Sequence, residues 1–92
     1  MWVIRIIDKN TRKIQFVRES FFDGAVIYFE FEEEALRVSV PLSKLLQEYY
    51  GISCRPEKNI FNPKKERRRK ISAGTLDKTL EDLKYAIGWS PM

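Results

Sequence analysis

The stretch LRVSVPLSKLLQEYYG, Leu36–Gly51, changes its hydrophobic period at Pro41. Over 36–40, every second residue is apolar, which predicts a strand with one inward face. Over about 42–50, leucines and tyrosines recur at helical spacing, which predicts a helix with the proline in its first turn. The glycine after this helix is a typical C-terminal stop. The stretch therefore predicts a sheet that ends where a helix begins.

Two strands with the same period of two are predicted at the amino terminus. Trp2, Ile4 and Ile6 share one face of the first strand,. Ile14 and Phe16 continue that face in the second strand. The polar sequence KNTR between the strands has the composition of a hairpin turn. We therefore expect an antiparallel pair with one apolar face.

The next segment predicts a turn, a third strand and a second hairpin. The Asp23–Gly24 pair favours a tight turn, because both residues readily adopt positive φ. The sequence AVIYFEFE, Ala25–Glu32, alternates like a strand with its apolar residues on one face,. The acidic residues Glu32, Glu33 and Glu34 are interpreted as the tip of the hairpin that leads to the fourth strand. Residues 2–40 are thus predicted to form a four-stranded antiparallel meander.

The carboxyl-terminal part predicts a long basic loop and a second helix. Residues 52–72 contain two prolines and most of the clustered cations without a clear period, which is typical of a loop,. Helical spacing then returns over about 75–87, with Thr75 as the expected cap. The apolar face of this helix comprises Leu76, Leu80, Leu83 and Ile87.

These elements predict a single α+β domain over residues 1–92, with both helices packed on one sheet face. Four antiparallel strands followed by a helix resemble, in topology, the single-stranded-DNA-binding class that includes the Whirly proteins and related transcriptional coactivators. The segment RVSVPLSKLL, Arg37–Leu46, is similar to the strand-to-helix step of small bacterial domains encoded beside toxin-like genes. The first resemblance implies binding of single strands.

The composition limits the possible function. Of the 92 residues, 43% are hydrophobic and 33% are charged, which is typical of a folded protein,. Cys54 is the single cysteine and histidine is absent, so an intramolecular disulfide and the usual zinc sites are excluded,. Because no catalytic motif, metal site or cofactor site is found, we do not expect an enzyme. The absence of a signal peptide or long apolar run predicts a cytoplasmic protein, and the abundance of Lys, Arg and Glu resembles that of thermophile proteins.

The positive charge is concentrated in one segment. The chain carries a net charge of +4, yet residues 55–70 alone hold eight basic and two acidic side chains. Clustered Lys and Arg bind phosphates through released counterions and forked hydrogen bonds. The candidate phosphate-binding residues are Arg55, Lys58, Lys64, Lys65, Arg67, Arg68, Arg69 and Lys70. The sequence therefore predicts a nucleic-acid-binding protein.

Two aromatic residues near this segment are candidates for base stacking. Phe61 and Trp89 lie outside the periodic segments, so neither is required by a predicted apolar face,. Neither predicted helix is both basic and free of core residues, as a helix that binds in the major groove should be. Single-stranded DNA or RNA is therefore favoured over sequence-specific duplex binding.

Two other interpretations of the charge remain open. The basic segment can be a solvated loop, or the chain can be a small adaptor, inhibitor or antitoxin-like module that binds an acidic protein. Such a module would use the basic loop or a sheet face of mixed polarity, and that face can also support a homodimer. No membrane partner is expected. The mixed face is predicted to contain Val3, Arg5, Ile7, Lys13, Gln15, Val17, Tyr28, Glu30, Arg37 and Ser39.

Overall fold

The computed structural model describes residues 1–11, 13–59 and 67–88. Its elements, in chain order, are β1 (Trp2–Ile7), β2 (Gln15–Phe16), β3 (Val26–Tyr28), α1 (Glu32–Tyr50), β4 (Ser53–Lys58), β5 (Arg68–Lys70) and α2 (Leu76–Ala86), with a 3-10 turn at Ala73–Thr75 before α2. The predicted α+β class and the presence of two helices are confirmed.

The strands form two small sheets that meet at β1. In the first sheet β1 lies between β2 and β4, and both pairings are antiparallel. In the second sheet β3 and β5 are parallel. The two sheets are joined because the Trp2 amide donates to the Phe29 carbonyl over 2.8 Å, and the Phe29 amide donates back to the Trp2 carbonyl over 2.7 Å. The predicted four-stranded meander is therefore wrong, and the antiparallel sheet has three strands.

The predicted fourth strand is the first half of α1, which also includes Pro41 in its interior. Its buried residues, Ala35, Val38, Leu42 and Leu46, recur at intervals of three or four and face the core,. Leu36 and Val40, which a strand would turn inward, are 39% and 49% exposed. The apolar residues at every second position over 36–40 therefore do not indicate a strand, because this segment is helical. The helix begins at Glu32 instead of near residue 42.

The acidic residues Glu32, Glu33 and Glu34 lie in the first turn of α1, so the predicted hairpin tip is wrong. Negative charge is favourable here because the first turn carries the positive end of the helix dipole. The Glu34 carboxylate also accepts a hydrogen bond from the Phe31 amide over 3.2 Å. At the other end, Gly51 adopts φ +68° and ends the helix as predicted,.

Part of the predicted loop over 52–72 is strand. Each residue of β4 pairs with a residue of β1, and β5 adds to β3. The Cys54 amide donates to the Ser43 hydroxyl on α1 over 3.2 Å, so it points away from β1. The nitrogen of Pro56, two residues further on, is likewise directed away from β1. Its missing N–H therefore removes no hydrogen bond with β1. A proline is therefore compatible with β4, although it is a poor sequence signal for a strand.

The amino-terminal hairpin is confirmed, but the face of its second strand is reversed. Phe16 lies opposite Arg5 and therefore shares the face of that arginine,. Val17 is fully buried in the core, whereas Ile14, which was expected to face inward, is 63% exposed. The predicted turn at Asp23–Gly24 is present, with φ +90° at the glycine.

The second helix agrees closely with its prediction. Leu76, Leu83 and Ile87 are buried in the core, and Leu80 packs against it. Thr75 occupies the predicted N-cap position, but its hydroxyl donates to the Ser72 carbonyl over 3.1 Å and accepts no hydrogen bond from a backbone amide of the helix,. α1 packs against β1 and β4, whereas α2 packs mainly against α1, so the prediction that both helices lie on one sheet face holds for α1 only. Within the described ranges, neither helix is both long and apolar enough to cross a membrane.

Candidate nucleic-acid interface

The sheets have a second face, opposite the core, which we call the outer face. Directly paired residues of neighbouring strands point to the same side, and successive residues of one strand point to opposite sides. Ile4 and Ile6 face the core, so the residues between and beside them on β1 face outward. By this rule the outer face holds Val3, Arg5, Ile7, Phe16, Arg18, Val26, Tyr28, Glu30, Ser53, Arg55, Glu57, Arg68 and Lys70.

An ion pair between β1 and β4 lies on the outer face. Arg5 Nη1 lies 3.2 Å from Glu57 Oε1, and both side chains are partly buried. Arg5 is directly opposite Arg55 in the register, so the carboxylate is its diagonal neighbour. Because Glu57 binds Arg5, the exposed Arg55 side chain remains accessible to a ligand at this position.

The Arg68 side chain is held on the outer face by contacts with other residues of the protein. The side chain is partly buried, and its Nη2 atom donates to Asn59 Oδ1 over 3.0 Å. Its Nη1 atom lies 3.6 Å from the sulfur of Met1. These contacts join β5 to the ends of β1 and β4. Arg68 therefore adds positive charge to the outer face while its guanidinium is held by the protein.

Lys70 is more accessible than Arg68. Its Nζ atom lies 3.3 Å from Glu30 Oε2, and the two side chains are 53% and 58% exposed. Exposed pairs of this kind contribute little to stability, so an incoming phosphate can compete for the ammonium group.

The run Arg67–Lys70 does not form one continuous cationic row. Arg68 and Lys70 share the outer face, whereas Arg69 pairs with Ile27 and belongs to the opposite side of β5,. Arg69 and Arg67 are exposed at the sheet edge, and the Arg67 carbonyl accepts a hydrogen bond from the Val26 amide. The four cationic side chains therefore do not all lie on the outer face.

The other predicted site residues have mixed positions. Lys58 is exposed at the end of β4, but it pairs with Trp2 and so does not belong to the outer face. Three groups of predicted residues, namely Phe61, the pair Lys64 and Lys65, and Trp89, lie outside the described residues.

Two aromatic residues on the outer face were not identified as stacking candidates from the sequence. Phe16 lies opposite Arg5, and Tyr28 lies opposite Lys70, and both rings are partly exposed. The alternation of β3 already places Tyr28 away from the core, but only the register of β2 shows that Phe16 is on the same side. Each ring thus has a cation as its direct cross-strand neighbour.

The net charge of the described outer face is positive. Five cations, Arg5, Arg18, Arg55, Arg68 and Lys70, stand with two carboxylates, Glu30 and Glu57. Val3 and Val26 at its centre are fully buried. The surface available to a ligand is therefore a ring of charged and aromatic side chains around a closed apolar centre.

Two features of the described residues concern metal binding and the reactivity of the single cysteine. No group of three or more Cys, Asp or Glu side chains in the described ranges is arranged to hold a metal ion. Burial raises the pKa of the Cys54 thiol to about 12, and its hydrogen bond with Ser43 lowers the pKa by a smaller amount. The thiol is therefore protonated at neutral pH,.

Comparisons of the chain with protein-family models, with curated proteins and with solved structures gave no match. The function is therefore inferred from the geometry of the chain itself.

Proposed function

We propose that the chain is a non-enzymatic nucleic-acid-binding protein that holds single-stranded DNA or RNA on its outer face. The observation that carries the proposal is the pairing of partly exposed aromatic rings with cations across the strands, Phe16 with Arg5 and Tyr28 with Lys70. Stacking of a base on an aromatic ring stabilises binding by about 1–3 kcal/mol, and proteins that bind single strands combine it with cations that hold the phosphates.

The positions of the cations favour phosphate contacts over the recognition of bases. Arg55 and Lys70 are exposed and lie on opposite sides of the buried centre formed by Val3 and Val26. A single strand can follow such a surface because its backbone is flexible and its bases are unpaired. We therefore expect binding that depends on salt and only weakly on sequence.

The first experiment measures fluorescence anisotropy of labelled oligo-dT, oligo-U and duplex DNA at about 50 and 200 mM salt. The double variant Arg55→Ala, Lys70→Ala removes two exposed outer-face cations. Its matched control, Arg37→Ala with Lys78→Ala, removes one exposed arginine and one exposed lysine from the helices.

In the proposed function the outer-face variant weakens binding and reduces the salt slope by about 1.4, since each lost single-strand phosphate contact contributes about 0.7. The helix variant lowers the net charge equally but leaves the slope near that of the parent. Equal effects of the two variants, or no binding by the parent at low salt, would falsify the proposal.

An acidic protein segment is the competing ligand for the same surface, because the outer face already accommodates the carboxylates of Glu30 and Glu57 beside cations. Removal of an aromatic ring distinguishes a nucleic acid from an acidic protein, because only the nucleic acid stacks its bases on the ring. Tyr28→Leu should weaken oligonucleotide binding, whereas the matched variant Tyr85→Leu on α2 should not, since Tyr85 is exposed on a helix. A chain that binds a poly-glutamate peptide and shows no response to Tyr28→Leu has the protein-binding function instead.

A further inference from the structure

A cavity of about 380 Å³ lies on the core side of the molecule, where the ends of α1 and α2 meet the turns at residues 8 and 21–22. Its apolar wall includes Leu46, Ile52 and Ile87. This volume is within the range of about 300–1,000 Å³ that is typical of small-molecule sites. None of the described residues that line the cavity belongs to the outer face.

Asp8 supplies the charge of the cavity. It is the only charged side chain among the described residues that line it. One carboxylate oxygen, Oδ1, accepts a hydrogen bond from the Asn10 amide over 2.9 Å, which holds the side chain in place. Within the described parts of the chain, no basic side chain forms an ion pair with Asp8. The carboxylate therefore lies at the cavity without a basic partner among the described residues.

Phe21, a residue with strained backbone geometry, positions aromatic rings that line the cavity together with Asp8. Phe21 has φ +68°, a conformation that is unfavourable for a bulky side chain,. It is held there by burial and by two hydrogen bonds of 2.9 Å with the backbone of Arg18. The next residue, Phe22, packs edge-on against Phe21 with ring centroids 4.6 Å apart, yet is 58% exposed. The strained turn thus presents one ring in the core and one ring at the mouth of the cavity.

Tyr50 forms the other aromatic part of the rim. Its hydroxyl donates to the Ile87 carbonyl, so the ring is anchored between the two helices. It is nevertheless 57% exposed and lines the cavity. Two exposed aromatic rings, those of Phe22 and Tyr50, and the Asp8 carboxylate therefore line the same cavity.

We propose that this cavity binds a small organic cation, an ammonium group attached to an apolar body. Aromatic faces attract cations through their quadrupoles, and the Asp8 carboxylate supplies the opposite charge. The wall of Leu46, Ile52 and Ile87 accommodates the apolar body. A neutral ligand would leave the carboxylate unpaired, and an anion would be repelled by it.

The test is an NMR titration with three probes of similar shape, 2-phenylethylammonium, 2-phenylethanol and phenylacetate. We expect saturable amide shifts at Phe22, Ile52 and Ile87 with the ammonium probe. Its affinity should exceed that of the alcohol at least about fivefold, because the alcohol lacks the cationic interaction. Phenylacetate should bind most weakly. Equal affinities for the ammonium and the alcohol, or shifts located elsewhere, would overturn the proposal.

Three variants examine the role of Asp8. Asp8→Asn keeps an oxygen acceptor for the Asn10 amide but removes the charge, so the preference for the ammonium over the alcohol should disappear. Asp8→Glu keeps the charge and should retain the preference, which a purely structural role of Asp8 does not predict. The matched control Asp23→Asn, in an exposed turn outside the cavity, should behave like the parent. A preference that survives in Asp8→Asn, or disappears in Asp23→Asn, contradicts the proposed site.

Discussion

The hydroxyl of Tyr50, the last residue of α1, donates a hydrogen bond to the backbone carbonyl of Ile87, the residue after α2. This contact joins the ends of the two helices, and it satisfies a carbonyl that has no partner further along the helix.

Tyr50→Phe removes only this hydroxyl. We expect the free energy of unfolding to fall by about 0.5–1.5 kcal/mol, the usual net contribution of one hydrogen bond. Urea denaturation measures the change. Tyr49→Phe is the matched control, because Tyr49 is exposed and no hydrogen bond of its hydroxyl is found among the described residues. A loss of equal size in both variants would show that the Ile87 contact has no special role.

Arg68 and Arg69 are adjacent arginines with different expected contributions to stability. Arg68→Ala removes the hydrogen bond to Asn59 and the contact with Met1, so we expect a loss of about 1–2 kcal/mol in the free energy of unfolding,. Arg69→Ala changes an exposed side chain and should alter stability by less than about 0.5 kcal/mol,. Both values come from the same urea series. If Arg69→Ala is the more damaging variant, the structural role of Arg68 is not correct.

Pro41 reduces the stability of α1. A proline has no amide hydrogen, so the Arg37 carbonyl lacks the donor that residue 41 would otherwise supply,. Pro41→Ala should restore this bond and raise the free energy of unfolding by about 1–3 kcal/mol. Helix content by circular dichroism and urea denaturation give the two measurements. Lys44→Ala, at an exposed position of the same helix, should have little effect on either. An unchanged or less stable Pro41→Ala protein would mean that packing of the proline ring outweighs the missing hydrogen bond.

Because the Cys54 thiol is buried, we expect the free energy of unfolding to decrease at alkaline pH,. Burial raises the pKa of its thiol from 9.0 to about 12, so the folded state retains this proton at pH values where the unfolded state loses it. The contribution of the protonated thiol is therefore complete below pH 9 and decreases as the pH rises from 9 to 12,. The decrease has a slope of at most about 1.4 kcal/mol per pH unit.

Cys54→Ala lacks the ionisable group, so the difference in unfolding free energy between the parent and this variant should shrink above pH 9. Because the Lys and Tyr residues are the same in both proteins, their titration largely cancels in the difference. A difference that stays constant from pH 8 to 11 would show that the buried thiol is not protected from ionisation.

The parts of the fold that can be predicted from the sequence have local, repetitive patterns. In β1 the buried Ile4 and Ile6 stand on either side of the partly exposed Arg5, and α2 has its apolar residues on one helical face. The start of α1 has two overlapping patterns, since Val38 fits both a strand with Leu36 and a helix with Ala35 and Leu42. A proline at position 41 favours the strand locally, but burial of Ala35, Val38 and Leu42 in the core outweighs that preference,.

The candidate interface is less predictable than the fold, because it depends on pairings between distant segments. The basic composition of 55–70 indicates an anionic ligand, but no local pattern shows that Arg55 lies opposite Arg5. The proline in β4 and the short length of β5 hide both strands in the sequence. The position of Phe16 likewise depends on the register of β2, where a shift of one residue reverses the face,.

The parallel pairing of β3 with β5 has a consequence for the order of folding. Glu30 and Lys70 are 40 positions apart in sequence, and α1 and β4 lie between them. Closing so long a segment is entropically costly, so β5 is expected to join β3 only after the intervening elements have condensed. Lys70 therefore reaches Tyr28 late in folding. In the proposed function, a synthetic peptide of the basic run would keep its charge but lack this aromatic neighbour, and it would bind nucleic acid without the contribution from stacking.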